Sequence, residues 1–148
     1  MVPPVDTKFC NLQKGKDVST KKREYSQLDP DIRMLVATMN ACGFRTYASC
    51  QGHGRPVDRL KPYVAFISGQ AEAAALARRL RQDAESSAPE LYWGWDVSAE
   101  FNSEFRLCYR LYPTGPHHWW TRYNRHSLRR DFSRIRRIIK LVQAIPVD

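Results

Sequence analysis

Two hydrophobic periods alternate along the chain. Ile32, Leu35, Val36 and Met39 recur every three or four residues, the spacing of one helix face. Asp29-Pro30-Asp31 stands ahead of them. Asp29 has the short oxygen-bearing side chain of an N-cap, proline suits the first helical position, and Asp31 complements the helix dipole. Gly43 supplies the stop. Phe44 to Cys50 and Tyr63 to Ile67 read as strands, the second apolar enough to be buried on both faces. Ser68-Gly69 leads into a second helix reaching roughly to Ser86. That helix packs through Ala73, Leu76, Ala77, Leu80 and Ala84 and keeps Arg78, Arg79 and Arg81 in water.

After Pro89 the period changes to two. Leu91, Trp93, Trp95 and Val97 alternate with polar or small residues, and Phe105, Leu107, Tyr109 and Leu111 do the same beyond a turn at Asn102-Ser103, which predicts an antiparallel hairpin. Pro113-Thr114-Gly115-Pro116 should break the second strand and leave His117-His118-Trp119-Trp120 in a loop. Ser127 then caps a last helix, with Leu128, Phe132, Ile135, Ile138 or Ile139, and Val142 on its apolar stripe and Pro146 beyond its end. The predicted order is αββαββα. This is an α+β domain of two layers, about four mostly antiparallel strands covered on one face by three helices. Residues 29–148 form that single domain. Residues 1–28, weakly periodic and basic at Lys14, Lys16 and Lys21-Lys22-Arg23, read as a flexible arm.

A hydrophobic fraction of 43% over 148 residues suits one globular domain and excludes the disordered class. No apolar run has the length of a membrane span, and the N-terminus has no secretory pattern, so a cytoplasmic protein without a membrane partner is expected. Cys10, Cys42, Cys50 and Cys108 are scattered and form no CxxC pair, which excludes zinc-ribbon and thioredoxin motifs and leaves free thiols.

Charge narrows the partners. The net charge is +9, with 24 basic against 15 acidic residues, a balance that attracts polyanions. Much of it lies in the last helix region, where Arg122, Arg125, Arg129, Arg130, Arg134, Arg136, Arg137 and Lys140 stand against Asp131 alone. Arg130, Arg134 and Arg137 align on one edge of the helix, Arg129, Arg136 and Lys140 on the other. Guanidinium forks on both edges fit phosphate oxygens; the competing role is solubilisation of an amphipathic helix. Trp119 and Trp120, with Tyr123 nearby, would stack unpaired bases if their rings are exposed, or pin a loop to the core if they are not.

The segment Ser49-Cys50-Gln51-Gly52-His53-Gly54-Arg55 concentrates reactive side chains where a strand ends. It has three functional readings. Cys50 and His53 are two metal donors, to be completed by His117, His118 or Cys108. Cys50 is alternatively a nucleophile with His53 as its base, lacking an orienting third residue. The third reading, which asks least of geometry, is an anion-binding turn: Ser49, Gly52 and Gly54 expose backbone N–H groups and Arg55 adds charge. Against all three, strict alternation from Phe44 through Thr46 and Ala48 would put Cys50 on the core face.

Preceded by a helix, Thr46-Tyr47-Ala48-Ser49-Cys50-Gln51-Gly52-His53-Gly54-Arg55 resembles the threonine/serine-serine-cysteine-serine-glycine-arginine segment of the wybutosine-synthesis tRNA methyltransferases. The matching positions are Ser49, Cys50, Gly52 and Arg55, with His53-Gly54 intervening here. The resemblance implies an RNA partner, and S-adenosylmethionine as cofactor if activity is shared. The expectation from the residues themselves is a small polyanion-binding protein, associated with RNA or DNA through the arginine-rich helix. Two alternatives stand beside it: an enzyme centred on Cys50 and His53 acting on a nucleic acid or phosphorylated substrate, and a non-enzymatic adaptor or inhibitor docking on an acidic or nucleic-acid-binding protein surface. The balance leans away from an enzyme.

Overall fold

The first helix starts a turn later than its sequence suggests. In the computed structural model, which describes residues 28–144, α1 spans Arg33–Ala41 and Ile32 occupies its N-cap without a side-chain cap. Asp29 contributes only its backbone oxygen there, to the Ile32 N–H, and its carboxylate turns away. The basic arm lies outside the described residues except for Leu28, which packs against the core. The far end of α1 closes as expected: Gly43, at φ +90°, lets the Phe44 N–H reach back to the Met39 carbonyl. Asn40 then ties helix to sheet, its Nδ2 donating to Thr46 Oγ1 and its Oδ1 accepting the Thr46 N–H.

Strands β1 (Arg45–Cys50), β2 (Tyr63–Ile67), β3 (Trp93–Phe101) and β4 (Leu107–Pro116) form one antiparallel sheet in the order β1-β2-β4-β3. With α1, α2 (Gln70–Ala84) and α3 (Arg125–Ala144), the chain is a single α+β domain of order αββαββα. One continuous core lies between sheet and helices. Phe44 meets Phe66 edge-on at 5.5 Å, Phe66 stacks on Tyr109, and Trp95 meets Phe132 of α3 at 6.0 Å. As its apolar run predicts, β2 is buried on both sides, with Val64 and Phe66 toward the helices and Ala65 on the other face.

Two bulges change the sequence-based picture. In β1, Thr46 pairs with Phe66 but Ala48 pairs with Ala65, so Tyr47 is inserted and the side-chain alternation flips after it. Ser49 therefore opposes the core residue Val64, while Cys50 opposes Tyr63 on the other face. The expectation that Cys50 shares the core face of Phe44 is overturned by this one extra residue. The second bulge lies opposite Gly94 and Trp95, where Thr114 is the inserted residue. The strand continues through Pro113-Thr114-Gly115-Pro116 instead of breaking. Beyond Leu111, β4 pairs with β3 alone, and a strand with one unpaired row of backbone groups tolerates proline. A Cβ on Gly94 would lie 2.6 Å from Oγ1 of the exposed Thr114, so a larger residue there needs that hydroxyl to turn away.

His117 and His118 precede a short 3-10 helix, Trp119–Tyr123, and α3 follows directly. Asn124, rather than Ser127, caps α3: Asn124 Oδ1 accepts the His126 N–H. Ser127 lies buried in the first turn, where its hydroxyl accepts the Trp93 indole N–H at 2.9 Å. Asp131, the one acidic residue of the basic region, falls on the apolar stripe between Leu128 and Ile135 and is fully buried. Its carboxylate accepts the backbone N–H groups of Tyr92 and Trp93 and the indole N–H of Trp95, clamping α3 to the start of β3. Burial lifts its pKa from 3.8 to about 6 in spite of these donors and of Arg134. Among the described residues, no helix is long and apolar enough to cross a membrane.

Candidate functional site

The flip at Tyr47 carries Cys50 out of the core and into a half-buried position at the end of β1. The chain then turns through Gly52, at φ +84°, where a Cβ would lie 2.9 Å from the Val57 carbonyl and 3.1 Å from Pro62 Cδ. Only glycine fits that approach. His53 pairs with Leu60 through two backbone hydrogen bonds of 3.0 Å, which close the loop between them.

The residue that sequence reasoning assigned to the helix cap completes this loop. Asp29 Oδ2 lies 3.0 Å from His53 Nε2 and accepts the Gln51 N–H at 3.1 Å. Gln51 returns the contact, its side-chain oxygen accepting the Asp31 N–H. A carboxylate oxygen of Asp29, the Cys50 sulfur and a ring nitrogen of His53 lie within 4.8 Å of one another, the one such group of three donors among the described residues. The three are half-buried to exposed and reach solvent.

The donors proposed from sequence to complete the set are elsewhere. Cys108 is buried within β4, His118 stacks on Trp120 at 4.6 Å, and His117 uses its backbone N–H on the Tyr92 carbonyl. Of the anion-binding turn, Gly52 and its two neighbours have their N–H groups engaged. The N–H groups of Gln51, Gly52 and His53 already go to Asp29, the Cys50 sulfur and the Leu60 carbonyl.

Beside the loop stands the 3-10 helix. The Val57 N–H donates to the Arg122 carbonyl, Arg122 Nε pairs with Asp58 at 3.0 Å, and Arg125 Nη1 donates to the Gln51 carbonyl at 3.0 Å. The short helix so anchored leaves its aromatic rings in water: Trp119 is 71% exposed, Trp120 58% and Tyr123 50%. They form one cluster, with Trp120 stacked on His118 and Trp119 edge-on to both Trp120 and Tyr123. Pinning of a loop to the core is therefore not what these tryptophans do.

The arginines of α3 divide into two sets. Arg129 pairs with Asp31, Arg136 donates to Thr38 Oγ1, and Arg134 donates to the Glu90 carbonyl while lying over the Tyr92 ring. These join α3 to α1 and to the approach of β3, so both predicted arginine edges are partly structural. Arg130, Arg137 and Lys140 are exposed, and their side chains make no ion pair or hydrogen bond among the described residues. The same is true of Arg55, Arg59 and Lys61 in the loop beside the aromatic cluster.

The chain matches no family model, no curated protein and no solved structure. Function is thus read from this surface alone.

Proposed function

We propose that this is a cytoplasmic protein that binds single-stranded nucleic acid on the aromatic cluster of the 3-10 helix, with Arg55, Arg59 and Lys61 holding the phosphates. The observation that carries this reading is the exposure of Trp119, Trp120 and Tyr123 side by side. Exposed rings have a high cost in water unless a partner covers them, and the flat faces of unpaired bases are suitable covers. The free cations and the net charge of +9 favour a polyanion over an apolar protein partner. The likeness of the Ser49–Arg55 segment to a tRNA-methyltransferase segment points toward RNA. Arg130, Arg137 and Lys140 of α3 add further unpaired positive charge.

The test is titration of short single-stranded RNA and DNA, followed by tryptophan fluorescence. Quenching is expected at low salt. Trp119→Ala and Trp120→Ala should each weaken binding by roughly 5- to 150-fold, equivalent to about 1–3 kcal/mol per stacked base, and leave the salt slope unchanged. Replacing Arg55, Arg59 and Lys61 together with glutamine should instead lower that slope by about two, at roughly 0.7 per phosphate contact on a single strand. Failure to bind either nucleic acid at low salt would overturn the proposal. So would nuclease-resistant capture of a purified acidic protein through Trp119 and Trp120, which would mark the patch as protein-facing.

A further inference from the structure

The cluster at the end of β1 asks for a different ligand. Asp29, Cys50 and His53 come from two distant segments, and their donor atoms converge within 4.8 Å. Convergence separates the two chemistries open to such residues. In a nucleophilic relay the imidazole stands between thiol and carboxylate, so sulfur and oxygen sit on opposite sides of the ring, on the order of 7 Å apart. Here sulfur and carboxylate oxygen are themselves neighbours. Three donors around a common point are what a metal ion requires.

We propose that Asp29, Cys50 and His53 bind one zinc-class divalent ion, with a fourth coordination position open to water. Thiolate with imidazole is a soft-to-borderline set that selects zinc over magnesium or calcium, and three protein ligands with one open position is a common zinc arrangement. Bonds of about 2.0–2.3 Å in a tetrahedron put ligand atoms about 3.3–3.7 Å apart. The 3.0 Å separation of His53 and Asp29 opens slightly and the thiol closes in, a movement within reach of side-chain rotation.

The surroundings already hold two ligands in place. The Gln51 N–H fixes the Asp29 carboxylate, and the Gly52 N–H points at the Cys50 sulfur from 3.4 Å, a contact that strengthens when the sulfur is a thiolate. The bulge at Tyr47 aims Cys50 at this point; without it the thiol would face the other side of the sheet. His53, with its side chain 45% exposed, leaves a path for the ion to enter. This proposal stands independently of nucleic-acid binding, and its readouts use no nucleic acid.

Cobalt(II) added anaerobically to the full chain provides the test. One equivalent should bind, with a thiolate-to-cobalt charge-transfer band in the near ultraviolet and the intense visible bands of a four-coordinate ion. Cys50→Ser should abolish the charge-transfer band, and His53→Asn and Asp29→Asn should weaken binding at least tenfold; Cys42→Ser should change nothing. His53 is exposed, so its variant reports on the site even if a Cys50 variant folds poorly. Zinc should also slow alkylation of Cys50 by iodoacetamide at least tenfold, and a chelator should restore the rate. Absence of stoichiometric cobalt, or a band that survives both Cys50→Ser and His53→Asn, overturns the proposal. An alkylation rate indifferent to zinc does the same and returns Cys50 to the class of simple thiols.

Discussion

Replacing Asp131 with alanine should cost the fold about 3–5 kcal/mol, a large share of the roughly 5–15 kcal/mol that holds a domain together. The side chain removed is small, but it accepts the N–H groups of Tyr92, Trp93 and Trp95, all close to the α3–sheet contact. Alanine leaves those donors facing a dry cavity. Equilibrium urea denaturation gives the loss directly. Asparagine keeps the shape and one acceptor oxygen and should cost less.

The same residue gives a pH signature. Its pKa in the folded chain, about 6, lies above the unfolded value of 3.8. Between these values the folded chain keeps the proton that the unfolded chain releases, so this group's contribution to stability falls as pH rises from about 4 to 6. Above pH 6 the decline is complete, on the order of 3 kcal/mol at about 1.4 kcal/mol per pH unit. The measurement is the difference between wild type and Asp131→Asn, which isolates this group. Parallel stability curves for the two proteins across that range would contradict the assignment.

The second large effect is expected at Gly52. Alanine there must adopt φ +84° and push its Cβ against the Val57 carbonyl and the Pro62 ring, at a combined cost of about 3 kcal/mol. Gly54 provides the comparison. Its φ is +96°, and a Cβ would lie 2.9 Å from Arg59 Cβ, an atom the backbone holds in place, so alanine there should also cost about 3 kcal/mol. Gly115→Ala, with open space at the Cβ position, should stay within about 0.5 kcal/mol. Thermal melts of the three variants rank them. A loss at Gly54 as small as that at Gly115 would mean that neither its positive φ nor the approach of Arg59 carries a cost.

Much of the fold can be read from spacing. The apolar periods of Ile32–Met39, Ala73–Leu80 and Leu128–Ile139 lie on three helices, and the alternation around Asn102 is a hairpin. Pattern fails where one residue alters the phase. Nothing local distinguishes Tyr47 as an insertion, because it is decided by pairing with β2, and so the face of Cys50 was misplaced. Asp29 shows a different limit. A carboxylate ahead of a helix looks like a cap because it can accept an N–H, and it does accept one, from Gln51 instead of its own helix. Asp131 did leave a signal: it sits three residues after Leu128 and four before Ile135, on the stripe that the period marks as buried. The arginine pattern showed which side chains avoid that stripe but not which find partners, since Asp31, Thr38 and Glu90 belong to other elements.

The bulge at Tyr47 divides β1 into two halves under separate control. Residues before it are held to the size and shape of the helix-facing core, through Phe44 and Thr46. Those after it exchange faces by sequence parity, Ser49 toward Val64 and Cys50 toward Tyr63. The inserted residue works as an indexing device: with Tyr47 paired regularly the same sequence would turn Cys50 to the core face, whereas deleting Tyr47 together with the bulge would leave Cys50 opposite Tyr63. A related chain one residue shorter here could therefore dispense with the bulge and keep the cluster with Asp29, while one of equal length without the bulge would lose it. In comparing such chains, the length of the strand is as informative as the identity of the cysteine.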